Sequence, residues 1–278
     1  MAGATLGAVP LTSLTDRTAV VTGGASGIGR ALALRFAREG ANVVVADLDE
    51  AGMAETVAGV SRAGRRGLAV RTDVSRLADV EALAARAFAE FGGVHVVCNN
   101  AGVALWGGLE SGSHQEWEWA MGVNLWGVIH GVEAFVPRMV AQKQPGHVVN
   151  TASMAGLIAS QGLGVYNTTK YAVVGLSETL QKDLRGYDIG VSVLCPMGVN
   201  TAIRQSERNR PAALRNQATE REGRAVELIG RYLSPDHVAE RVLRAIYANR
   251  LYVITHEEGL TPLKRRFERM AQAIEESK

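Results

Sequence analysis

Short runs of apolar, largely β-branched residues alternate with longer helical segments along almost the whole sequence. Such runs are typical of buried strands, and strands joined by helices predict a parallel sheet covered on both faces. Each crossover is expected to be right-handed. The pattern therefore predicts a doubly wound α/β fold with seven strands, at residues 18–22, 42–47, 67–73, 94–98, 147–151, 189–194 and 251–255.

The size of the chain fits one such domain. Its 278 residues, of which 47% are hydrophobic, are enough for a single substantial core. Residues 1–278 are therefore interpreted as one domain, in which ligands bind at the carboxyl ends of the strands. The intervening helices are predicted at 27–40, 50–62, 77–91, 114–142, 163–186 and 235–248.

Composition argues against several classes of function. Lys and Arg number 30 against 28 Asp and Glu, a balance that argues against a nucleic-acid-binding surface. Cys98 and Cys195 each end an apolar run, which predicts buried free thiols and a reducing compartment. The six histidines lack the spacing of metal ligands, so no metal is expected. Residues 1–15 do not resemble a signal peptide and no stretch approaches the roughly 20 apolar residues of a membrane span, so a cytoplasmic protein is expected.

Two segments depart from the alternation. Thr201–Tyr232 is rich in charged and amide residues and is much longer than an ordinary connection. It is predicted to be a substrate lid that closes and becomes ordered when cofactor and substrate bind, with a loosely packed surface excursion as the alternative. Residues 259–278 carry Leu263, Phe267 and Met270 at helical spacing, which predicts an amphipathic helix that packs on the body or on a partner chain.

A glycine-rich turn follows the first predicted strand. Gly23, Gly27 and Gly29 would let the backbone approach a pyrophosphate, and the helix that begins near Gly27 offers free N–H groups and a positive dipole end. Ser26 and Ile28 lie in the same turn. The spacing differs from the most common dinucleotide motif, but the position between a strand and a helix strengthens the interpretation.

The second predicted strand ends at Asp47, whose carboxylate is placed to accept the ribose hydroxyls of an adenosine. The same charge would repel a 2′-phosphate. Leu48 follows, and residues 23–29 contain no Arg or Lys that would bind such a phosphate. The sequence therefore favours NAD over NADP.

Three further motifs follow strand ends in order. They are Asn-Asn-Ala-Gly at residues 99–102, Ser153, and the pair Tyr166 and Lys170 at the spacing Tyr-x-x-x-Lys. Together with the glycine-rich turn and Asp47, they resemble the short-chain dehydrogenase/reductase family. The resemblance covers residues 18–255 and implies a Rossmann fold. It also implies an NAD-dependent oxidoreductase that transfers a hydride between nicotinamide and an alcohol or ketone carbon.

The resemblance implies roles for individual residues. The implied catalytic residues are Asn124, Ser153, Tyr166 and Lys170. Met197 is a departure, because the family usually has glycine at this position after the proline. The implied cofactor-binding residues are Gly23, Ser26, Gly27, Ile28, Gly29, Asp47, Leu48, Asp73, Val74, Asn100, Ala101, Gly102, Tyr166, Lys170, Pro196, Val199 and Thr201.

The implied catalytic residues would act together in proton transfer at the substrate oxygen. Tyr166 would exchange the proton, although a free phenol has a pKa of about 10. Lys170 lies one helical turn later, about 5–6 Å away at Cβ, where its ammonium would stabilise the phenolate and hold the nicotinamide ribose. Ser153 would donate a second hydrogen bond to the substrate oxygen. Asn124 is expected to hold a water that connects Lys170 to solvent.

The substrate pocket is expected just beyond the strand ends. Most residues there are apolar, which predicts a bulky, mostly apolar secondary alcohol or ketone as the small-molecule substrate. The segments 206–211 and 251–256 are also similar to bacterial members that oxidise benzylic alcohols of lignin-derived aryl ethers. The predicted pocket residues are Leu105, Trp106, Met154, Ala155, Leu163 and Met197.

Two other functions stay open. An NADPH-dependent ketoreductase of a thioester-bound substrate would bind phosphates with the arginines of the lid. Against it, the carboxylate of Asp47 would repel the 2′-phosphate of NADPH, and the glutamates interspersed among the arginines would weaken phosphate binding. A non-catalytic dinucleotide sensor needs no proton relay, so the intact catalytic set counts against it. The lid arginines are Arg204, Arg208, Arg210, Arg215, Arg221 and Arg224.

The resemblance also implies an assembly. Members of the family pair through their fourth and fifth helices, so a homotetramer is expected, with a homodimer as second choice. No nucleic-acid or membrane partner is expected. The apolar residues expected at the contact are Ala134, Phe135, Ala172, Val173 and Leu176.

Overall fold

The computed structural model describes residues 11–215 and 230–277 and contains one sheet of seven parallel strands. The strands are β1 (Thr18–Thr22), β2 (Asn42–Asp47), β3 (Gly67–Arg71), β4 (Val96–Asn99), β5 (Gly146–Thr151), β6 (Ile189–Cys195) and β7 (Tyr252–Ile254). Their order is β3-β2-β1-β4-β5-β6-β7, so the chain winds outward in both directions from β1 and β4. This order confirms the predicted doubly wound sheet.

Helices cover both faces of the sheet. In the described ranges they are α1 (Gly27–Arg38), α2 (Glu50–Arg62), α3 (Leu77–Phe91), α4 (His114–Met121), α5 (Gly127–Gln142), α6 (Gly164–Asp183), α7 (Pro235–Tyr247) and α8 (Leu260–Glu275). The single helix predicted over 114–142 is in fact divided, because a π-helical turn at Gly122–Trp126 separates α4 from α5. A π turn adds one residue to the helical register, and apolar spacing alone does not reveal it.

Local sequence explains where several helices begin. Ser113 and Glu116 form a capping box at the start of α4, in which the Ser113 hydroxyl accepts from the Glu116 N–H at 3.2 Å. Ser234 caps α7 in the same way, and Pro235 occupies its first position, where a missing N–H costs nothing.

The core forms two layers because successive strand residues point to opposite faces of the sheet. On β1, Val21 belongs to the layer that contains Phe36 of α1, whereas Val20 belongs to the layer that contains Phe135 of α5. All residues of β1, β5 and β6 are buried, as expected for strands covered on both sides.

The carboxyl ends of the strands form one edge, and the candidate site lies along it. Above this edge the lid begins as 3₁₀ helix at Ala202–Asn209 and Ala212–Leu214. Residues 216–229 of the predicted lid lie outside the described residues, as does the N-terminal segment 1–10. Within the described ranges, no helix is long and apolar enough to cross a membrane.

Candidate active site

The turn after β1 packs against the turn after β4. A Cβ atom at Gly23, where φ is +65°, would lie 2.8 Å from the Cα of Ala101. One at Gly29 would lie 2.0 Å from the carbonyl oxygen of Gly23. Side chains are excluded at both positions, so bare backbone and the first N–H groups of α1 form this surface. Ser26 makes no side-chain capping bond to α1. The surface therefore fits a pyrophosphate.

Asp47 is fixed at the end of β2 by backbone donors. Its carboxylate accepts from the N–H groups of Ala25 at 3.0 Å, Leu48 at 2.7 Å and Asp49 at 3.2 Å. The guanidinium of nearby Arg30 is committed to the carbonyl oxygen of Ala25 and, at 2.9 Å, to the carboxylate of Glu55. A formal negative charge is thus held rigidly at this end of the cleft, in agreement with the ribose-binding role predicted for Asp47.

One cleft of about 680 Å³ runs along the carboxyl edge of the sheet. Every residue predicted to bind the cofactor lines it, from Gly23 and Asp47 at one end to Pro196, Val199 and Thr201 at the other. Ser153, Tyr166 and Lys170 line the same cleft. The fold therefore brings together residues from six separate strand ends on one continuous surface.

Lys170 is buried at the base of the cleft and is 3% exposed. Its ammonium donates to the carbonyl oxygen of Thr151 at 3.0 Å, and it lies 5.6 Å from the centre of the Tyr166 ring. Burial lowers the pKa of Lys170 to about 8, because the charged form loses its water. At neutral pH the group still carries its proton, next to the phenol.

Tyr166 and Ser153 form the remainder of the catalytic group. Burial raises the pKa of the Tyr166 phenol, and hydrogen bonding with the Ser153 hydroxyl acts in the opposite direction. The Ser153 hydroxyl donates to the carbonyl oxygen of Pro196 at 3.3 Å and accepts from the N–H of Ala155 at 3.1 Å. Both bonds hold the Ser153 hydroxyl at the end of β5, close to the phenol on α6.

Asn124, which is predicted to hold a water for Lys170, uses its side chain for hydrogen bonds within the protein. It is fully buried and does not line the cleft. Its amide oxygen accepts from the N–H of Val103 at 2.8 Å, while its amide nitrogen donates to the Val103 carbonyl and, at 3.2 Å, to the Thr169 hydroxyl. Thr169 in turn donates to the carbonyl of Tyr166 at 2.8 Å. The side chain therefore ties the loop after β4 to α6 and positions Tyr166.

A family model described as short chain dehydrogenase matches residues 17–212. The chain belongs to the short-chain dehydrogenase family. It is accordingly an oxidoreductase with a Rossmann fold, as the order of motifs along the sequence predicted, and the family acts on small molecules.

Similar proteins span nearly the whole of this short-chain dehydrogenase. It is 36% identical over 260 residues to a 1-deoxy-11-beta-hydroxypentalenate dehydrogenase of Streptomyces avermitilis, covering 91% of this chain and 90% of the relative. It is 33% identical over 266 residues to a C alpha-dehydrogenase of Sphingobium sp. strain SYK-6, covering 93% and 87%. A short-chain dehydrogenase/reductase from Burkholderia phymatum, solved in complex with NAD, shares 43% identity with a TM-score of 0.90, covering 94% and 96%.

The predicted substrate pocket of this short-chain dehydrogenase lies only partly along the cleft. Of its six predicted residues, Met197 lines the cleft and the other five do not. Met154 and Ala155 are buried behind Ser153, where Met154 packs with Val173. Side chains that follow β5 point into the core because the backbone turns there into a short 3₁₀ helix at Met154–Gly156.

The loop after β4 also turns inward. Leu105 is buried in a cluster with Trp119 and Val165, and Leu163 pairs with Gly107 through an isolated bridge. Leu105 and Trp106 border a separate, very small cavity. The loop therefore supports the wall of the cleft from behind.

Other residues form the actual wall at this end. They come from α4, from the π-helical turn that follows it, from the beginning of the loop after β4 and from the lid. No local pattern marks them. The lining residues not predicted for the pocket include Val103, Trp119, Val123, Ile203, Ser206, Arg208, Asn209, Pro211 and Leu214.

No metal centre accompanies the cleft in the described ranges, where no three His, Cys, Asp or Glu side chains lie close enough to bind an ion. Cys98 and Cys195 are free and buried, and burial raises the pKa of Cys195 to about 12.

Proposed function

We propose that this protein is an NAD-dependent dehydrogenase or reductase that interconverts a bulky, mostly apolar secondary alcohol and its ketone. The observation that carries the proposal is the placement of Ser153, Tyr166 and Lys170 in the same cleft as Asp47 and the glycine-rich turn. A group able to move a proton thus shares one surface with a site that fits a dinucleotide.

The residues divide the chemistry as follows. When bound, NAD accepts a hydride from the carbinol carbon during oxidation and returns one during reduction. Tyr166 accepts the hydroxyl proton of the alcohol, and Ser153 donates a hydrogen bond to the same oxygen. Because burial alone would keep the phenol protonated, the ammonium of Lys170 is needed to stabilise the phenolate.

Asp47 supports NAD rather than NADP. Its carboxylate is held by three N–H groups at the end of the cleft, where it would repel a 2′-phosphate. Arg30 is engaged with Glu55 and does not offset that charge. The Burkholderia phymatum relative, solved with NAD, supports the same choice.

The walls of the cleft support an apolar substrate. Val103, Trp119, Met197, Ile203 and Leu214 line its far end, and a ligand there would be stabilised by about 25 cal/mol for each Å² of apolar surface buried. The name of the Streptomyces relative specifies a hydroxylated pentalenate, which agrees with a hydroxyl on a larger skeleton.

The test is NADH formation from an alcohol panel, followed by absorbance. We expect kcat/KM for 1-phenylethanol to exceed that for glycerol and lactate, and NAD to bind at least about tenfold more tightly than NADP. Tyr166→Phe is the control for non-enzymatic reduction. Higher efficiency with the small polar alcohols would refute the pocket assignment. Tight NAD binding without turnover on any alcohol would favour a dinucleotide sensor, whereas preference for NADP would favour the ketoreductase.

A further inference from the structure

The first lid segment is anchored over the cleft by a buried serine. The Ser206 hydroxyl, 5% exposed as a residue, accepts from the N–H of Ala104 at 3.0 Å and donates to the carbonyl of Ile203 at 2.5 Å. The bond from Ala104 joins Ala202–Asn209 to the loop after β4, and the bond to Ile203 lies within the segment. The side chains that this segment presents to the cleft are therefore held in place by the body of the protein.

Two arginines of the segment are committed elsewhere. Arg204 stacks on Trp106 at 5.3 Å and donates to the hydroxyl of Tyr232 at 2.7 Å. Arg210 is 5% exposed, stacks on Trp119 at 4.6 Å and forms an ion pair of 2.8 Å with Glu207. Both guanidinium groups help to hold the lid, and neither lines the cleft.

Arg208 is placed differently. It lines the cleft beside Asn209, and its guanidinium donates to the neutral amide of Gln205 at 3.2 Å. Within residues 11–215 and 230–277, no carboxylate lies within ion-pair distance of it. Glu118 lines the cleft too, and both it and Arg208 are exposed. The substrate end of the cleft thus presents a cation that no described carboxylate neutralises.

We propose that Arg208 binds a carboxylate on the substrate, and that this carboxylate is remote from the hydroxyl that reacts. The inference rests on the proposed function and narrows its substrate class to bulky, apolar secondary alcohols that bear one carboxylate. A guanidinium pairs well with a carboxylate through two parallel N–H donors. The amide of Asn209 supplies a neighbouring donor.

Position explains why the two groups of the substrate are separated. Lys170 is 3% exposed at the base of the cleft, whereas Arg208 is exposed on the lid. The apolar lining residues Trp119 and Leu214 pack against each other in one cluster of the cleft wall. A substrate that meets all three features has its alcohol at the base, an apolar skeleton against the wall and its charge at the mouth. Small 2-hydroxy acids, in which the carboxylate adjoins the carbinol carbon, do not satisfy this arrangement.

The test compares 1-phenylethanol with 4-(1-hydroxyethyl)benzoate, two benzylic alcohols that differ by one carboxylate. With NAD saturating, we expect kcat/KM to be about tenfold higher for the carboxylate, mostly through KM, and the advantage to shrink as salt is added. Arg208→Gln should bring the ratio of the two efficiencies close to one. Arg215→Gln, which changes an exposed arginine of the lid that does not line the cleft, should leave the ratio near ten.

Each other outcome is decisive. Equal efficiencies in the unmodified enzyme, or a ratio that survives Arg208→Gln, would overturn the carboxylate site and leave the proposed alcohol oxidation intact. Loss of the ratio in Arg215→Gln as well as in Arg208→Gln would overturn the assignment to Arg208. Absence of turnover with both alcohols would overturn the proposed function, and this inference with it.

Discussion

Burial moves the pKa values of Tyr166 and Lys170 in opposite directions, each toward the neutral form of the side chain. Burial raises that of the phenol and lowers that of the ammonium to about 8, since each charged form loses its water. A phenolate beside an ammonium offsets part of both penalties. The base of the cleft is therefore suited to passing a proton rather than to keeping a permanent charge.

Removal of the phenol hydroxyl tests the proton transfer. Tyr166→Phe should lower kcat by about a hundredfold to ten-thousandfold, because no other group in the cleft is placed to accept the alcohol proton. The affinity for NAD, measured by fluorescence titration, should stay near normal, since the ring remains in place. A variant that keeps a tenth of the activity would contradict the assignment.

Burial of the charged Lys170 ammonium, which the proposed chemistry requires, should lower the free energy of unfolding. The folded pKa of Lys170, about 8, lies below the ordinary lysine value of 10.5, so the penalty for burying its charge is complete below pH 8 and disappears as pH rises toward 10.5. Lys170→Met should thus increase the free energy of unfolding at pH 7, by at most about 3 kcal/mol less the lost hydrogen bond to Thr151. The gain should shrink at pH 10.

Urea unfolding at the two pH values measures this difference. Lys182→Met is the matched control, because Lys182 lies exposed on the same helix, and we expect it to change stability by less than about 0.5 kcal/mol. The change in free energy of unfolding caused by Lys170→Met is compared at the two pH values. A smaller gain at pH 7 than at pH 10 would show that burial of the charge carries no such penalty.

At the scale of elements, α5 approaches the sheet over a glycine. A Cβ atom at Gly131 would lie 1.9 Å from the amide oxygen of Asn99. Asn99 donates to Asn150 at 2.9 Å, and Asn150 donates to Ser177 at 3.0 Å. This buried chain of hydrogen bonds joins β4, β5 and α6 under α5, so it depends on the close approach at Gly131.

Gly131→Ala should therefore destabilise the protein by about 2–4 kcal/mol, because Asn99 would have to move and break the chain of hydrogen bonds. Thermal unfolding followed by circular dichroism measures the effect. Gly175→Ala is the control, since a Cβ atom there meets nothing within 4 Å and alanine favours the helix. Equal melting temperatures for the two variants would contradict the packing argument.

The elements differ in how far their sequence predicts them. β1, β2, α2 and α3 have the predicted bounds, because β-branched runs and alanine-rich periodicity are local signals. The π turn depends on packing inside a long helical segment, and the position of the five predicted pocket residues outside the cleft depends on how the loops after β4 and β5 turn. Side-chain type encodes neither. The residues implied by the family motifs reach one cleft because strand ends fix their positions, whereas wall residues such as Trp119 come from distant segments.

At the scale of the whole molecule, the predicted contact residues need correction. Ala134, Phe135 and Val173 are buried within the chain itself, so only Ala172 and Leu176 of that set are partly accessible. The prediction rested on the composition of the helices, which does not reveal the face that packs against the sheet. None of the residues of α8 is buried, and the exposed apolar side chains there are Leu260, Phe267, Met270 and Ile274.

We still expect a homotetramer, or failing that a homodimer, because an apolar stripe of this length seldom remains uncovered in a stable protein. Light scattering at micromolar concentration measures the mass. A value near 29.6 kDa, the mass of a single chain, would contradict the prediction.

The three N–H groups that hold Asp47 also bear on how such an enzyme evolves. If Asp47 is replaced by an uncharged residue, Ala25, Leu48 and Asp49 keep their donors but lose their common acceptor. A cluster of unpaired amides attracts anions. One mutation would thus remove a repulsion and leave an attraction at the same place. During evolution, few substitutions would therefore let such an enzyme exchange reducing equivalents with NADP instead of NAD, and its fold would stay the same.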